Sequence, residues 1–321
     1  MVLGLFLWES MCYNKKKTTR FVRRKESAMQ YEGQICRPPM ERASYMLPVA
    51  VGCSYNACTF CTLFKHLTYW ELPREQIEGE LCRVSAAGGN PATVFLGDGN
   101  AFGLKTEQLL WILERVHHHF PGCTAVNMDA TVTNIAQKSD EELQKLYDAG
   151  VRRLYLGIET GLEDVLKFMR KDHDLAQAYE QIARMQRFGF IFCAHMMTGL
   201  AGKGRGLENA EATAEFFNRT KPDRIINFSI FHHKRAPLYR DIEAGRYFPA
   251  DELENLREEK RLLELLDIPV SYDGFHDVII QQRFRGKLPQ DREKLLKQVD
   301  AAIDHWQTQP LPTEPTEIPV F

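Results

Sequence analysis

Residues 46–61 read MLPVAVGCSYNACTFC. An apolar run of strand length, Met46 to Val51, passes through Gly52 into a loop that carries Cys53, Cys58 and Cys61 in the spacing C-x4-C-x2-C. Thiolates gathered in one loop are metal ligands far more often than packing residues. The C-terminal end of a strand is also where α/β barrels keep their active sites. The fold therefore turns on whether further strands follow in the same rhythm.

Five more apolar runs do follow: Ala92 to Leu96, Cys123 to Met128, Arg152 to Ile158, Phe190 to Met197 and Arg224 to Phe231. Several are almost continuously apolar, as parallel strands buried on both faces should be. Helices with readable ends lie between them. Thr106 opens one, the capping box Ser139 to Glu142 opens another that stops at Gly150, and Asp174 opens a third that closes at Gly189. Strands alternating with helices imply βαβ crossovers and a parallel sheet.

From His232 onward the rhythm changes. A helix from Asp251 to Leu266, a short strand near Ile268 to Tyr272 and a helix from Asp291 to Trp306 read as a C-terminal extension, residues 232–308, packed on the main domain, residues 29–231. The tail QPLPTEPTEIPVF, 309–321, is proline-rich and reads as extended or disordered. Residues 1–28 are basic and unpatterned, and Met29 is a candidate start of the native chain.

At 321 residues the chain can bury a full core without disulfides or structural metal. A net charge of -2 provides no field favouring nucleic acid or an anionic membrane, which leaves a small molecule or a protein as partner. Met1 to Trp8 is too short to span a bilayer, and its basic run follows rather than precedes it, so no signal peptide is read and the expected location is cytoplasmic. Cys12, Cys36, Cys82, Cys123 and Cys193 are scattered and read as buried or incidental thiols. The histidines at His117 to His119 read as surface residues on a helix end.

A 4Fe-4S cluster commonly takes four cysteines, so three leave one iron open to an exogenous ligand. Two strand ends carry matching polar groups. In Gly97-Asp98-Gly99-Asn100 the glycines let backbone approach a ligand while a carboxylate pairs a cation, although alone the segment would pass for a turn. Glu159 ends an apolar strand, where a carboxylate packs poorly but can accept hydrogen bonds from a diol.

On these residues the chain resembles the radical S-adenosylmethionine (SAM) superfamily. The resemblance covers roughly Met46 to Phe231. Its subgroup with GCSxNxCTFC loops is described as coproporphyrinogen-oxidase-like and adds Tyr31 to Ser44 and the C-terminal helix, and Pro237-Leu238 resembles the TPL segment of the group containing oxygen-independent coproporphyrinogen oxidases. The usual cluster spacing is C-x3-C-x2-C, and this loop has one residue more. The resemblance implies a 4Fe-4S cluster on Cys53, Cys58 and Cys61, with SAM chelating the open iron. It implies Phe60 beside adenine, Gly97, Asp98 and Asn100 at the methionyl ammonium, Glu159 on SAM, and Lys171, with Arg170 next, on its carboxylate. His195, near the end of the fifth strand, lies where side chains reach the cavity or where a core histidine hydrogen-bonds. The fold expected from pattern and resemblance together is a partial (β/α)6 barrel with a C-terminal helical extension. The implied activity is reductive cleavage of SAM to a 5′-deoxyadenosyl radical that abstracts hydrogen from a small-molecule substrate, with electrons from a donor such as flavodoxin or ferredoxin. The alternative is a zinc-binding structural module on Cys53, Cys58, Cys61 and His66.

Overall fold

In the computed structural model the described residues are 37–312 and Glu314. The basic segment 1–28, the edge at Met29 and most of the proline-rich tail lie outside them. The elements run β1 (Tyr45–Pro48), β2 (Ala50–Val51), β3 (Trp70–Glu71), α1 (Arg74–Ala86), β4 (Thr93–Gly97), α2 (Thr106–His119), β5 (Ala125–Ala130), α3 (Val132–Ala136), α4 (Asp140–Asp148) and β6 (Val151–Glu159). They continue α5 (Glu163–Phe168), α6 (Leu175–Arg187), β7 (Ile191–Thr198), α7 (Gly206–Thr220), β8 (Arg224–Ser229), α8 (Pro237–Glu243), α9 (Glu252–Leu265), β9 (Val270–His276), β10 (Gln282–Leu288) and α10 (Arg292–Thr308).

One eight-stranded sheet has the order β1-β4-β5-β6-β7-β8-β9-β10. All neighbours are parallel except β10, which returns antiparallel to β9. The six expected strands lie side by side in chain order, and the sheet ends at β1 and β10 without closing, as a partial barrel. Leu96, Met128, Leu156, Ala194 and Ile225 pack outward against Leu113, Leu143, Ile182 and Phe217 of the helices. Phe95, Tyr155, Cys193, Ile226 and Phe275 form a separate cluster on the inner face. The capping box at Ser139 and the cap at Asp174 are both formed. Gly150 and Gly189 take the positive φ of helix stops, +106° and +90°.

Some expectations are corrected. The βα rhythm runs one unit further than the pattern showed, because β9 pairs parallel with β8. This is the strand expected near Ile268 to Tyr272, but Asp273, Gly274 and His276 hide its second half from a search for apolar runs, and Asp273 and His276 are buried by partners on neighbouring elements. Thr106 lies inside α2 after the N-cap Lys105, which makes no side-chain cap. Cys123 and Cys193 are buried free thiols, but Cys82 is disulfide-bonded. Only His118 of the histidine run is exposed, since His119 pairs with Glu78 at 2.8 Å and His117 bonds the Ala149 carbonyl at 3.1 Å. Among the described residues no helix is long and apolar enough to cross a membrane.

What fixes α9 on the sheet is charge. His276 on β9 is fully buried between Glu252 (2.5 Å) and Glu259 (2.6 Å) of α9. Tyr272 also donates to Glu259 at 2.7 Å, and Ser229 of β8 donates to Glu252 at 2.6 Å. Burial alone would strip the imidazolium of its proton, but the two carboxylates outweigh it and push His276 up to about 10. A histidine raised from its ordinary value contributes stability that is complete below about pH 6.5 and fades as pH climbs toward 10. We expect His276→Gln to cost about 3–5 kcal/mol at pH 6 by denaturant unfolding. The gap to wild type should narrow at pH 9.5, and a constant gap would show that His276 is not charged.

Candidate active site

The cysteine loop leaves β1 and is closed at its base by the two-residue β2–β3 ladder and by the Leu72 N–H donating to the Val49 carbonyl (2.9 Å). Its middle is strapped from two sides. The Thr59 N–H donates to Met169 O at the end of α5 (3.0 Å), and Thr59 O accepts from the Leu238 N–H at the start of α8 (2.9 Å). Tyr55 donates its hydroxyl to Arg170 O at 2.6 Å, and Asn56 donates to Phe64 O at 2.9 Å. Phe60 anchors the loop by packing into a cluster with Val165, Met169, Leu200 and Leu238. The loop thus spans the C-terminal ends of β6 to β8.

The turn after β4 presses against the first cysteine. Gly99 has φ +56°, and a Cβ on it would lie 2.3 Å from Gly52 O and 2.7 Å from Cys53 Cα. Only glycine fits there. The next residue, buried Asn100, accepts from Ser54 N (3.2 Å) and Ser54 Oγ (3.0 Å), and lies 3.7 Å from Cys53 Sγ. Its amide nitrogen donates to Asn134 Oδ1 at 3.0 Å, and Asn134 is itself fixed by the capping box of α3 with Thr131. Asp98 is buried beside this turn, and Gly97 accepts from the Val49 N–H.

Glu159 ends β6 with φ +69°. Its carboxylate folds back over Gly157 and meets Lys171 Nζ at 3.1 Å. A Cβ on Gly157 would lie 2.3 Å from Glu159 Oε1 and 3.1 Å from Lys171 Nζ. Lys171 also lies 3.9 Å from Asp172 Oδ1, whose carboxylate is held by His173 (3.0 Å) and by Thr133 N (3.0 Å) and Oγ1 (2.8 Å). Burial disfavours the Lys171 charge, yet Glu159, Cys58 and Asp172 together hold its pKa above the ordinary lysine value. Arg170 points its side chain to solvent, so Lys171 alone of the two brings a cation inward.

Cys53, Cys58 and Cys61 are free and half-buried. Burial pushes the Cys58 thiol up to about 11, against the pull of Lys171 and with the help of Glu159 and Cys61. Cys61 is raised as well, first by burial, with the Leu63 N–H opposing. The bare Cys58 and Cys61 thiols stay protonated at pH 7, so loading a metal on them releases protons. Sulfurs on one tetrahedral zinc, bonded at about 2.3 Å, sit within about 4 Å of each other. Among the described residues, the group with donor atoms mutually within 4.8 Å is Glu78, Cys82 and His119, in the helix layer. Cys53, Cys58, Cys61 and exposed His66 are not gathered in that way. Three free thiols in one loop, with a glycine-lined cradle beside them, fit a polynuclear centre with one open position.

The sequence profile of the radical SAM superfamily matches residues 47–217, just over half of the chain. The chain belongs to the radical SAM superfamily. Members of this superfamily are enzymes, and they use a 4Fe-4S cluster and SAM. Among curated proteins, the chain is similar to the heme chaperone HemW of Bacillus subtilis (strain 168), 24% identical over 229 residues that cover 69% of this chain and 58% of that protein. It is also similar to the heme chaperone HemW of Lactococcus lactis subsp. lactis (strain IL1403), 29% identical over 139 residues, 43% of this chain and 36% of that one. The chain thus spans less than two thirds of these relatives. Of solved structures, methylornithine synthase (PylB) superposes with a TM-score of 0.52 at 15% identity, over 71% of this chain and 63% of that one. At that identity the likeness concerns the fold alone.

The structure brings Phe60, Gly97, Asp98, Asn100, Glu159 and Lys171 to the strand ends around the three cysteines, and leaves the Arg170 side chain and His66 outside. Sequence reasoning missed Asn134, Asp172 and the role of Gly157. The capping pattern Thr131 to Asn134 was the one available signal for the first, and Gly157 sat in plain view two residues before Glu159. Anaerobic reconstitution of Gly99→Ala should retain several-fold less iron than wild type, because the added methyl displaces Cys53. Gly204→Ala is the control, with φ +81° and nothing within 4 Å. It should cost about 1–2 kcal/mol of backbone strain and keep its iron. Equal iron in both variants would mean that the Gly99 approach does not set the cysteine geometry.

Proposed function

We propose that this enzyme holds a 4Fe-4S cluster on Cys53, Cys58 and Cys61, binds SAM at the neighbouring strand ends, and generates a radical that abstracts hydrogen from a small-molecule substrate. The observation that carries the reading is the convergence of three free, half-buried thiols with the Glu159–Lys171 pair at one end of a parallel sheet. When bound, the cluster and SAM supply reductive cleavage of SAM to methionine and a 5′-deoxyadenosyl radical. The chain's own residues bind, orient and exclude water.

Lys171 offers a fixed ammonium for the SAM carboxylate, and Glu159 accepts from the ribose hydroxyls. Each relieves the other's desolvation while the site is empty. Gly97, Asp98 and Asn100 face the methionyl ammonium, Asp98 supplying the opposite charge. Phe60, held in the apolar cluster, fixes the backbone that meets adenine. Arg170 contributes its backbone, through the Tyr55 hydrogen bond. The electron comes from a reduced carrier of flavodoxin or ferredoxin type. A cytoplasmic location suits three thiols that must stay free, and the Cys82 disulfide is the one feature among the described residues that runs against it.

Anaerobically reconstituted protein reduced with dithionite should convert SAM to 5′-deoxyadenosine, and Cys53→Ala, Cys58→Ala and Cys61→Ala should each abolish the conversion. Glu159→Ala should retain iron but weaken SAM binding by about 1.5–3 kcal/mol, the contribution of a hydrogen bond to a charged group. Unchanged SAM affinity in an anaerobic titration removes Glu159 from the site.

A further inference from the structure

The inner face of the sheet carries an aromatic row that the cofactor site does not use. His195 stands in the middle of β7, in register with Gly157 on β6 and Ile226 on β8. Its ring lies nearly parallel to Phe228, with centroids 5.9 Å apart and planes 7° apart. Phe228 stacks in turn on Phe275 of β9 at 5.2 Å and 21°. Tyr155 flanks the histidine at 5.9 Å and 53°. Phe95, Tyr155 and Ile226 are buried beneath, whereas His195 and Phe228 are half-buried. Those two rings are therefore the part of the row open to the lumen.

The neighbouring position on β6 is Gly157, over which Glu159 Oε1 and Lys171 Nζ lie within 2.3 and 3.1 Å of where a Cβ would stand. His195 is thus one strand away from the groups assigned to SAM. Its Nε2 is buried and has no hydrogen-bond partner among the described residues. An unpaired buried polar atom is costly; Nε2 of His173 and of His232 is unpaired among the described residues as well, and what sets His195 apart is its place on the inner face beside the Glu159–Lys171 pair. Burial first, then the Lys171 charge, push the imidazolium down to about 4, so at neutral pH one ring nitrogen donates and the other accepts. No described residue employs that capacity at Nε2.

Resting on the reading of the site given above, we propose that His195 contacts the substrate, a small organic molecule with an apolar part packed over the lumen edges of the His195 and Phe228 rings and a polar group hydrogen-bonded by the imidazole. Stacking on Phe228 fixes the ring plane, and the place beside Gly157 sets the reacting end of such a molecule next to the Glu159–Lys171 pair.

The test uses anaerobically reconstituted holoenzyme with SAM, dithionite and the small-molecule fraction of its own host cells grown in deuterated water, and measures deuterium carried into 5′-deoxyadenosine. Wild type should acquire deuterium. His195→Phe keeps the stack but no nitrogen; it should bind SAM and form 5′-deoxyadenosine within about twofold of wild type, yet lose deuterium transfer at least about tenfold. His195→Asn places an amide near Nδ1 and His195→Gln near Nε2, and one of them should retain more transfer than the phenylalanine variant. Undiminished transfer in His195→Phe overturns the contact, as does equal loss in all three variants. A wild type that forms 5′-deoxyadenosine without deuterium overturns the small-molecule class. A wild type that forms none removes the cofactor reading and this proposal with it.

Discussion

A buried ammonium must be countered, and Lys171 is countered by two carboxylates. Glu159 reaches it from the end of β6 and Asp172 from the adjoining residue, while the neutral Cys58 thiol lies in its field from the loop after β1. The two carboxylates belong to different stretches of chain, so the charge ties the sheet to the segment after α5. The cost of leaving such an ion unpaired inside a protein is large, which is why this geometry is held before any ligand arrives. Gly157 makes it possible, since any side chain there would occupy the place of the pair.

Backbone approach does the rest. Gly99 lets the turn after β4 lie against Gly52 and Cys53, and Thr59 is held between Met169 and Leu238. The cysteines are therefore placed by main-chain contacts rather than by their own packing. Half-buried thiols can then turn toward a cluster while the loop that bears them stays fixed. The second charge network, around His276, works farther from the chemistry and locks α9 across β8 and β9.

Much of the fold was legible in the sequence because parallel strands buried on both faces must be apolar, and six of them are. The seventh parallel strand, β9, was legible only as a short strand near Ile268 to Tyr272, because Asp273 and His276 in its second half are paid for by Arg224 and by two glutamates that sequence alone does not bring near. The candidate site was legible where chemistry demands a residue type at a fixed spacing, as at Cys53, Cys58, Cys61 and Glu159. It was illegible where the role depends on a long-range meeting. Asn134 reaches the site only through Asn100, and His119 pairs with Glu78 on another helix, although it read as a surface residue. In the sequence Lys171 aligns better with the basic element than Arg170; positive φ at Arg170 and burial at Lys171 separate them in the structure.

The account stands on one claim, that the three thiols hold a cluster whose open iron receives SAM. The most direct measurement is metal analysis joined to low-temperature electron paramagnetic resonance of anaerobically reconstituted, dithionite-reduced protein, recorded with and without SAM. The account predicts about four irons per chain and a cluster signal whose shape changes when SAM is added. One tightly bound zinc per chain, no iron signal, and loss of that zinc in His66→Ala would contradict it.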